Sequence, residues 1–203
     1  MKNIKITNPE NNNFNLNEQS NFGQGCEITF NHTPTNKLSI NNTITIDNDC
    51  RFRHFRILIR GHNNSIHIKR NTLYIGTIMV EGSNLNVKIG ENCTINGLFI
   101  TCRDEDILIG DNCLISSNVK IRSSDSHKIF DLETGSLINK PKTPVIIEDH
   151  VWIGQDAYIG KNSLISEGSI VAARATVTKA ITQKNCVIAE FSKIIKTNIR
   201  WEK

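Results

Sequence analysis

The chain has 203 residues, enough for one domain with a single core, and only 38% of them are hydrophobic, which indicates a narrow interior under a polar surface. Its net charge of +4 comes from scattered Lys and Arg, so specific nucleic-acid binding is not indicated. The six cysteines form no CxxC pair, which favours reduced, buried thiols over a disulfide framework or a zinc ribbon.

The N-terminal part is polar and its pattern is loose. Residues 1–20 are rich in Asn and contain no apolar stretch long enough for a signal peptide or a membrane span, so a soluble, cytoplasmic protein is the default expectation. Residues 21–88 contain short alternating runs, such as Leu38-Ser39-Ile40 and Ile66-His67-Ile68, between Asn and Gly clusters. We interpret residues 21–88 as irregular coils of the same fold that follows them.

Residues 89–182 repeat with a period of six. A period of six fits neither a helix nor a simple alternating strand, and it predicts short strands joined by corners. Three six-residue units would form one triangular coil whose strands pair in parallel with the next coil. A small residue follows four positions later in most units, and Cys93 and Cys113 fill that position as compact apolar plugs. The aliphatic positions are Ile89, Ile95, Ile109, Ile115, Ile121, Ile147, Ile153, Ile159, Ile165, Val171 and Val177.

The repeat is interrupted once and then ends. Residues 122–144 leave the six-residue frame and carry His127, and long ordered insertions in compact folds are often functional. Residues 183–203 are predicted to cap the last coil, with Ile194, Ile195 and Ile199 spaced as in a short amphipathic C-terminal helix. The whole chain, 1–203, is therefore predicted to be one all-β solenoid domain with a protruding loop.

Several motifs resemble those of the hexapeptide-repeat acetyltransferases, in particular the branch that O-acetylates bacterial capsule, sialic-acid and lipopolysaccharide sugars. The resemblance covers roughly Ile89 to Trp201. It implies a left-handed parallel β-helix, a homotrimer, acetyl-CoA as co-substrate without a metal, and a sugar or polysaccharide acceptor. The motifs are Ser124-Asp125-Ser126-His127, Thr134-Gly135, Ile138-Asn139, Asp149-His150-Val151-Trp152-Ile153-Gly154, Val177-Thr178-Lys179 and Asn198-Ile199-Arg200-Trp201.

The resemblance assigns His127 as the general base. The chemistry agrees, because an imidazole with a pKa near ~6.5 can accept the proton of an attacking hydroxyl. Asp125 could orient that imidazole, or it could be a turn-forming residue, with about equal weight. Trp152 faces outward and by resemblance lines the acceptor and coenzyme channel, burial between subunits being the alternative.

Alignment to the family extends the predicted site. Asn96 and Asp104 fall on acceptor-binding positions, against ordinary corner or solvent roles at even odds. Small residues would let the pantetheine arm lie close to the chain, and lysines would meet phosphates. The coenzyme positions are Gln155, Ala173, Thr178, Lys179 and Lys196, with Lys193 nearby.

We therefore expect an acetyl-CoA-dependent O-acetyltransferase that acts on a hydroxyl of a cell-surface sugar by direct transfer. Three alternatives stay open. The first is N-acetylation of an amino sugar, and the second is a zinc β-helix of the carbonic-anhydrase type, for which His62 and His67 have a suggestive spacing. The third is a noncatalytic sugar-binding solenoid, since repeats by themselves carry no chemistry.

Overall fold

The computed structural model describes residues 3–32 and 37–198, and in them the chain winds as a triangular parallel β-helix with three faces, A, B and C. The described residues form strands and turns only, so they include no helix that could cross a membrane. Face A is a parallel sheet of eight strands. Its strands are β2 (Asn13–Leu16), β5 (Thr43–Ile46), β7 (Ser65–Ile68), β9 (Asn86–Ile89), β11 (Ile107–Ile109), β14 (Val145–Ile147), β17 (Leu164–Ile165) and β20 (Ala180–Ile181).

Faces B and C belong to one sheet that bends around the corner between them. Three long strands run across both faces: β6 (Arg51–Arg60), β8 (Leu73–Glu81) and β10 (Thr94–Cys102). Face B also contains β3 (Asn21–Phe22), β12 (Leu114–Ile115), β15 (Trp152–Ile153), β18 (Ile170–Val171) and β21 (Val187–Ala189). Face C also contains β1 (Ile4–Thr7), β4 (Cys26–Phe30), β13 (Val119–Arg122), β16 (Tyr158–Ile159) and β19 (Thr176–Val177).

The core consists of inward side chains stacked from coil to coil. Every aliphatic position predicted from Ile89 to Val177 is at most 2% exposed, and the plugs Cys93 and Cys113 are equally buried. Full burial of such a side chain contributes about 1.5–3 kcal/mol. The six-residue frame predicted from the sequence is therefore the inward face of the solenoid.

The upstream part of the chain belongs to the same stack. Ile44 pairs with Ile66 and Ile66 with Val87, 22 and 21 residues apart, whereas Ile147 and Ile165 are 18 apart. A strict six-residue frame requires coils of 18, so the extra residues at the upstream corners hide the repeat. The stack also extends into the polar segment 1–20, where β1 and β2 pair with coil strands.

Corners use residues that tolerate a left-handed backbone. Asn92, Asn112 and Asn162 each end a Gly-x-Asn sequence and have φ of 57°, 58° and 59°. Gly154 serves a different need, because a Cβ at that position would lie 2.6 Å from the backbone nitrogen of Ala173 in the next coil. The glycine of the Val-Trp-Ile-Gly motif therefore permits the close approach of two coils.

The predicted C-terminal helix is wrong where the structure describes it. Lys193–Lys196 form β22, which pairs antiparallel with β21. The outer edge of β21 would otherwise expose unpaired backbone groups, and a returning strand satisfies them. Glu190 and Ser192, with φ of 51° and 57°, reverse the chain between the two strands. Ile199 and Trp201 lie outside the described residues.

Candidate functional site

The interrupting loop leaves the solenoid at the corner between faces C and A, after β13, and returns at β14. Its outer part, residues 128–138, is called the lobe below. Phe130 and Leu137 form an isolated bridge across the lobe, and the backbone nitrogen of Ile138 donates to Ile129 O at 2.9 Å. Five large apolar side chains of the lobe are exposed: Ile129, Phe130, Leu132, Leu137 and Ile138.

A cavity of about 410 Å³ opens between the base of this loop and the corner of the preceding coil. His127 lies on its wall with an exposed side chain, and its ring makes no hydrogen bond within the described part of the chain. An imidazole placed in this way is free to accept a proton from a bound hydroxyl. The lining residues are Arg103, Asp104, Ser124, Ser126, His127, Lys128, Leu137, Asn139, Lys140 and Pro141.

Of the two predicted acceptor residues, the structure brings one to this cavity. Asp104 sits at the corner with φ of 65°, and Ser124 Oγ donates to its carboxylate at 2.5 Å. Asn96 is exposed on the face B part of β10 and does not line the cavity. Asp104 and His127 therefore share one site, and Asn96 lies on another surface of the same chain.

Asp125 does not contact the ring of His127 among the described contacts. Its Oδ2 accepts hydrogen bonds from Lys161 Nζ and from Asn139 Nδ2, the latter at 3.0 Å. Partial burial would raise the pKa of Asp125, but the hydrogen bonds from Lys161 and Asn139 and the charges of Lys161 and Arg122 outweigh it, so this pKa lies below its ordinary value. Asp125 is thus an ionised anchor of the loop base.

Trp152 is exposed on face B, 36% accessible, in register between Leu114 and Ile170. Its indole Nε1 donates to Ser116 Oγ at 3.4 Å. The side chain therefore presents an aromatic surface outward, as the sequence predicts, and it does not line the His127 cavity.

The predicted coenzyme residues are divided between two corners of the solenoid. Gln155 and Ala173 lie at the corner between faces B and C, and Thr178 and Lys179 at the corner between faces C and A. These four side chains and Lys193 are exposed, and none of them lines the His127 cavity. The side chain of Lys196 lies outside the described residues. Within a single chain, the two pairs of residues therefore lie at opposite edges of face C.

Cys102, next to Arg103 of the cavity lining, is buried and unreactive. Cys102 is inaccessible, and its thiol lies 3.4 Å from Glu105 O. Burial, with a contribution from the charge of Asp106, raises the pKa of Cys102 to about 12. A thiol with this pKa is protonated at neutral pH and cannot serve as a nucleophile.

The two histidines of the zinc alternative have other partners. His67 Nε2 lies 3.0 Å from Asp47 Oδ1, and His62 Nδ1 accepts the backbone N–H of Ile40 at 3.3 Å. Within residues 3–32 and 37–198, no group of three or more His, Cys, Asp or Glu is arranged to hold a metal ion. The zinc alternative is left without a ligand set in that part of the chain.

Two residues of the site, Asn139 and Lys161, have no role predicted from the sequence. Asn139 belongs to the Ile138-Asn139 motif, and Lys161 lies in the corner sequence Gly160-Lys161-Asn162. Asn139 lies 14 residues from Asp125 and meets it within the loop, whereas Lys161 lies 36 residues away and is brought to Asp125 only by the coil stacking. The same holds for Arg103, which reaches the cavity from the preceding coil.

Comparison with known proteins finds acetyltransferases similar to this chain. No protein-family profile matches the chain. It is 31% identical over 127 residues to a polysialic acid O-acetyltransferase of Neisseria meningitidis, and 37% identical over 138 residues to one of Escherichia coli O1:K1 / APEC. These matches cover 62% and 67% of this chain, but only 59% and 44% of the two relatives.

A solved structure extends the likeness to the whole chain. The crystallographic structure of the polysialic acid O-acetyltransferase OatWY superposes with a TM-score of 0.87 at 28% sequence identity, covering 100% of this chain and 92% of the other. The predicted left-handed parallel β-helix is confirmed by this likeness. The predicted resemblance to the branch that includes sialic-acid O-acetyltransferases is confirmed as well.

Proposed function

We propose that this chain, a left-handed β-helix homologous to the polysialic acid O-acetyltransferases, transfers an acetyl group from acetyl-CoA to a hydroxyl of a sialic-acid-containing capsule polysaccharide. The observation that carries the proposal is the exposed imidazole of His127 on the wall of a cavity that also contains a carboxylate, Asp104. That pair suits a sugar hydroxyl, since one group can take its proton and the other can hold a neighbouring hydroxyl.

In the proposed reaction, His127 acts as the general base. Its unprotonated ring nitrogen takes the hydroxyl proton while the acceptor oxygen attacks the thioester carbonyl. The C–S bond then breaks, and the leaving thiolate takes the proton back from the imidazolium. No covalent enzyme intermediate is required, which agrees with the buried, protonated state of Cys102. General base catalysis of this kind contributes about 10²–10⁴-fold.

The charge of the cavity supports an acidic acceptor. Arg103, Lys128 and Lys140 line it against the single carboxylate of Asp104. A cationic surface attracts sugar carboxylates, and an Arg can bind them with paired hydrogen bonds. The ammonium group that an amino sugar carries near neutral pH would be repelled by this lining, so we favour O-acetylation of an acidic polymer over N-acetylation.

For the coenzyme we propose the exposed residues that flank face C together with Trp152. Gln155 and Ala173 lie at one edge of that face and Thr178 and Lys179 at the other, with Lys193 and Lys196 on the terminal strand. We also propose a homotrimer, because these edges and the exposed apolar lobe would then face neighbouring chains and complete one site. The six cysteines are all free, which supports a cytoplasmic location.

The test is an acetyl-transfer assay with purified protein, acetyl-CoA and polysialic acid, following free thiol release. His127→Ala should lose activity about 10²–10⁴-fold at an unchanged KM for acetyl-CoA. His67→Ala, on face A, is the matched control and should keep the wild-type rate. Retention of more than about a tenth of the rate by His127→Ala would refute the base assignment.

The product separates the remaining alternatives. Mild base should release the transferred acetyl group, because an ester is labile where an amide is stable. An acetyl group that survives this treatment would indicate N-acetylation. Absence of any acetyl transfer to acidic or neutral sugars would favour the noncatalytic sugar-binding solenoid.

A further inference from the structure

The side-chain amide of Asn139 joins both ends of the loop. Its Nδ2 donates to His127 O at 2.8 Å and to Asp125 Oδ2 at 3.0 Å. Its Oδ1 accepts the backbone N–H of Ile129 at 2.8 Å. One amide therefore bonds the carbonyl of the proposed base, the backbone N–H two residues after it and the carboxylate side chain two residues before it.

A lysine from the next coil also binds both Asp125 and Asn139. Lys161 Nζ donates to Asp125 Oδ2 and to Asn139 O, the second bond being 2.6 Å long. Lys161 belongs to the corner between β16 and β17, beside the buried Gly160, so its backbone is fixed by the coil stack. Its side chain is 21% exposed and that of Asp125 is 42% exposed. The loop base is thus bonded to the rigid part of the fold.

We propose that Asn139, Asp125 and Lys161 form a clasp that positions His127 for proton transfer. This inference rests on the proposed function, which it deepens by naming positioning residues that do not touch the reacting atoms. Asp125 acts through the loop backbone and not on the imidazole ring.

The clasp separates the lobe from the base of the loop. Most of the lobe, residues 130–138, lies beyond the bonds to His127 O and Ile129 N. The exposed side chains of Phe130, Leu132 and Leu137 lie there and take no part in these bonds. Without the clasp, residues 125–129 regain backbone freedom, and ordering them again at the moment of catalysis lowers the rate of proton transfer.

Steady-state kinetics test the positioning role. Asn139→Ala and Lys161→Met should each lower kcat about 10–100-fold with the KM for acetyl-CoA unchanged, since a displacement of about 1 Å can cost 10²-fold. Lys161→Arg should recover part of the loss because it restores a cationic donor. The matched controls are Asn86→Ala, which removes an exposed amide bond to Asp106, and Lys184→Met, which removes the ion pair with Glu167; both should keep the wild-type kcat.

A double substitution separates positioning from a general loss of structure. In the His127→Ala background, Asn139→Ala should cause no further loss of the residual rate, because the residue acts only through His127. An additional loss of similar size in that background, or a wild-type kcat for Asn139→Ala, would overturn the proposal.

Amide hydrogen exchange tests the clasp independently of catalytic activity. The Ile129 amide should exchange at least about tenfold faster in Asn139→Ala and in Lys161→Met, and at the wild-type rate in both controls. An inactive wild-type protein with this exchange pattern would refute the proposed function and leave the clasp standing. Unchanged exchange at Ile129 would refute the clasp, whatever the activity.

Discussion

Replacing Asn42 with Ala should destabilise the upstream coils strongly. Asn42 is fully buried inside the corner between faces C and A, in a ladder with Asn12 and Asn64. Its Nδ2 donates to Asn12 Oδ1 at 2.9 Å and to Gly61 O at 3.1 Å, and its Oδ1 accepts from the N and Nδ2 of Asn64, both at 3.0 Å. The substitution removes all four hydrogen bonds.

The magnitude follows from the groups left behind. The backbone N–H of Asn64 and the carbonyl of Gly61 lose a buried partner, at about 1–3 kcal/mol each. The Nδ2 of Asn64 keeps its bond to Gly82 O and adds little. We therefore expect a loss of about 3–5 kcal/mol in the free energy of unfolding.

Urea unfolding at a fixed protein concentration, followed by circular dichroism, measures this loss as a lower midpoint. Asn86→Ala is the control, because Asn86 is exposed and its amide bonds Asp106 at the surface. It should change the free energy of unfolding by less than about 0.5 kcal/mol. An Asn42→Ala midpoint equal to that of the control would refute the ladder as a source of stability.

Three further predictions concern the coil contact, the buried thiol and the loop anchor. Gly154→Ala should cost about 1–3 kcal/mol in a urea titration, because the new Cβ would lie 2.6 Å from Ala173 N; an unchanged midpoint would contradict that contact. Cys102→Ala should keep the acetyl-transfer rate, and Ellman's reagent should not label Cys102 in the native protein near pH 7.5, since burial raises its pKa to about 12; rapid labelling would show that the thiol is accessible. The pKa of Asp125 is lowered in the fold, so its stabilising bonds are complete above its unfolded pKa of about 3.9 and are lost as the pH falls through the lower folded value. Asp125→Asn should therefore reduce the acid sensitivity of the urea midpoint below about pH 4, by under about 1 kcal/mol because the carboxylate is partly exposed; an unaltered pH profile would argue against the Lys161 pairing.

The sequence predicts the position of the proposed base, His127, but not the residues that hold it in place. A break in a regular frame is visible in the sequence, so the loop and His127 were identified from the pattern and the family motif. The pairing of Asp125 with Lys161 crosses 36 residues and depends on the height at which two coils stack. The sequence leaves Asp125 open between a partner of the ring and a turn-forming residue, whereas the fold makes it an anchor of the loop base.

The last strand also could not be predicted from local sequence. Ile194 and Ile195 suit a helix by local spacing, but the unpaired edge of β21 selects a strand, and that edge exists only once the coils have stacked.

The sequence by itself determined the period of six, the inward residues from Ile89 to Val177 and the site of the interruption, because each depends on neighbours within one coil. Only the tertiary structure decided which residues meet across coils and how the upstream corners absorb extra residues. Contacts between coils depend on register, and register is set by the whole stack and not by any local stretch of chain.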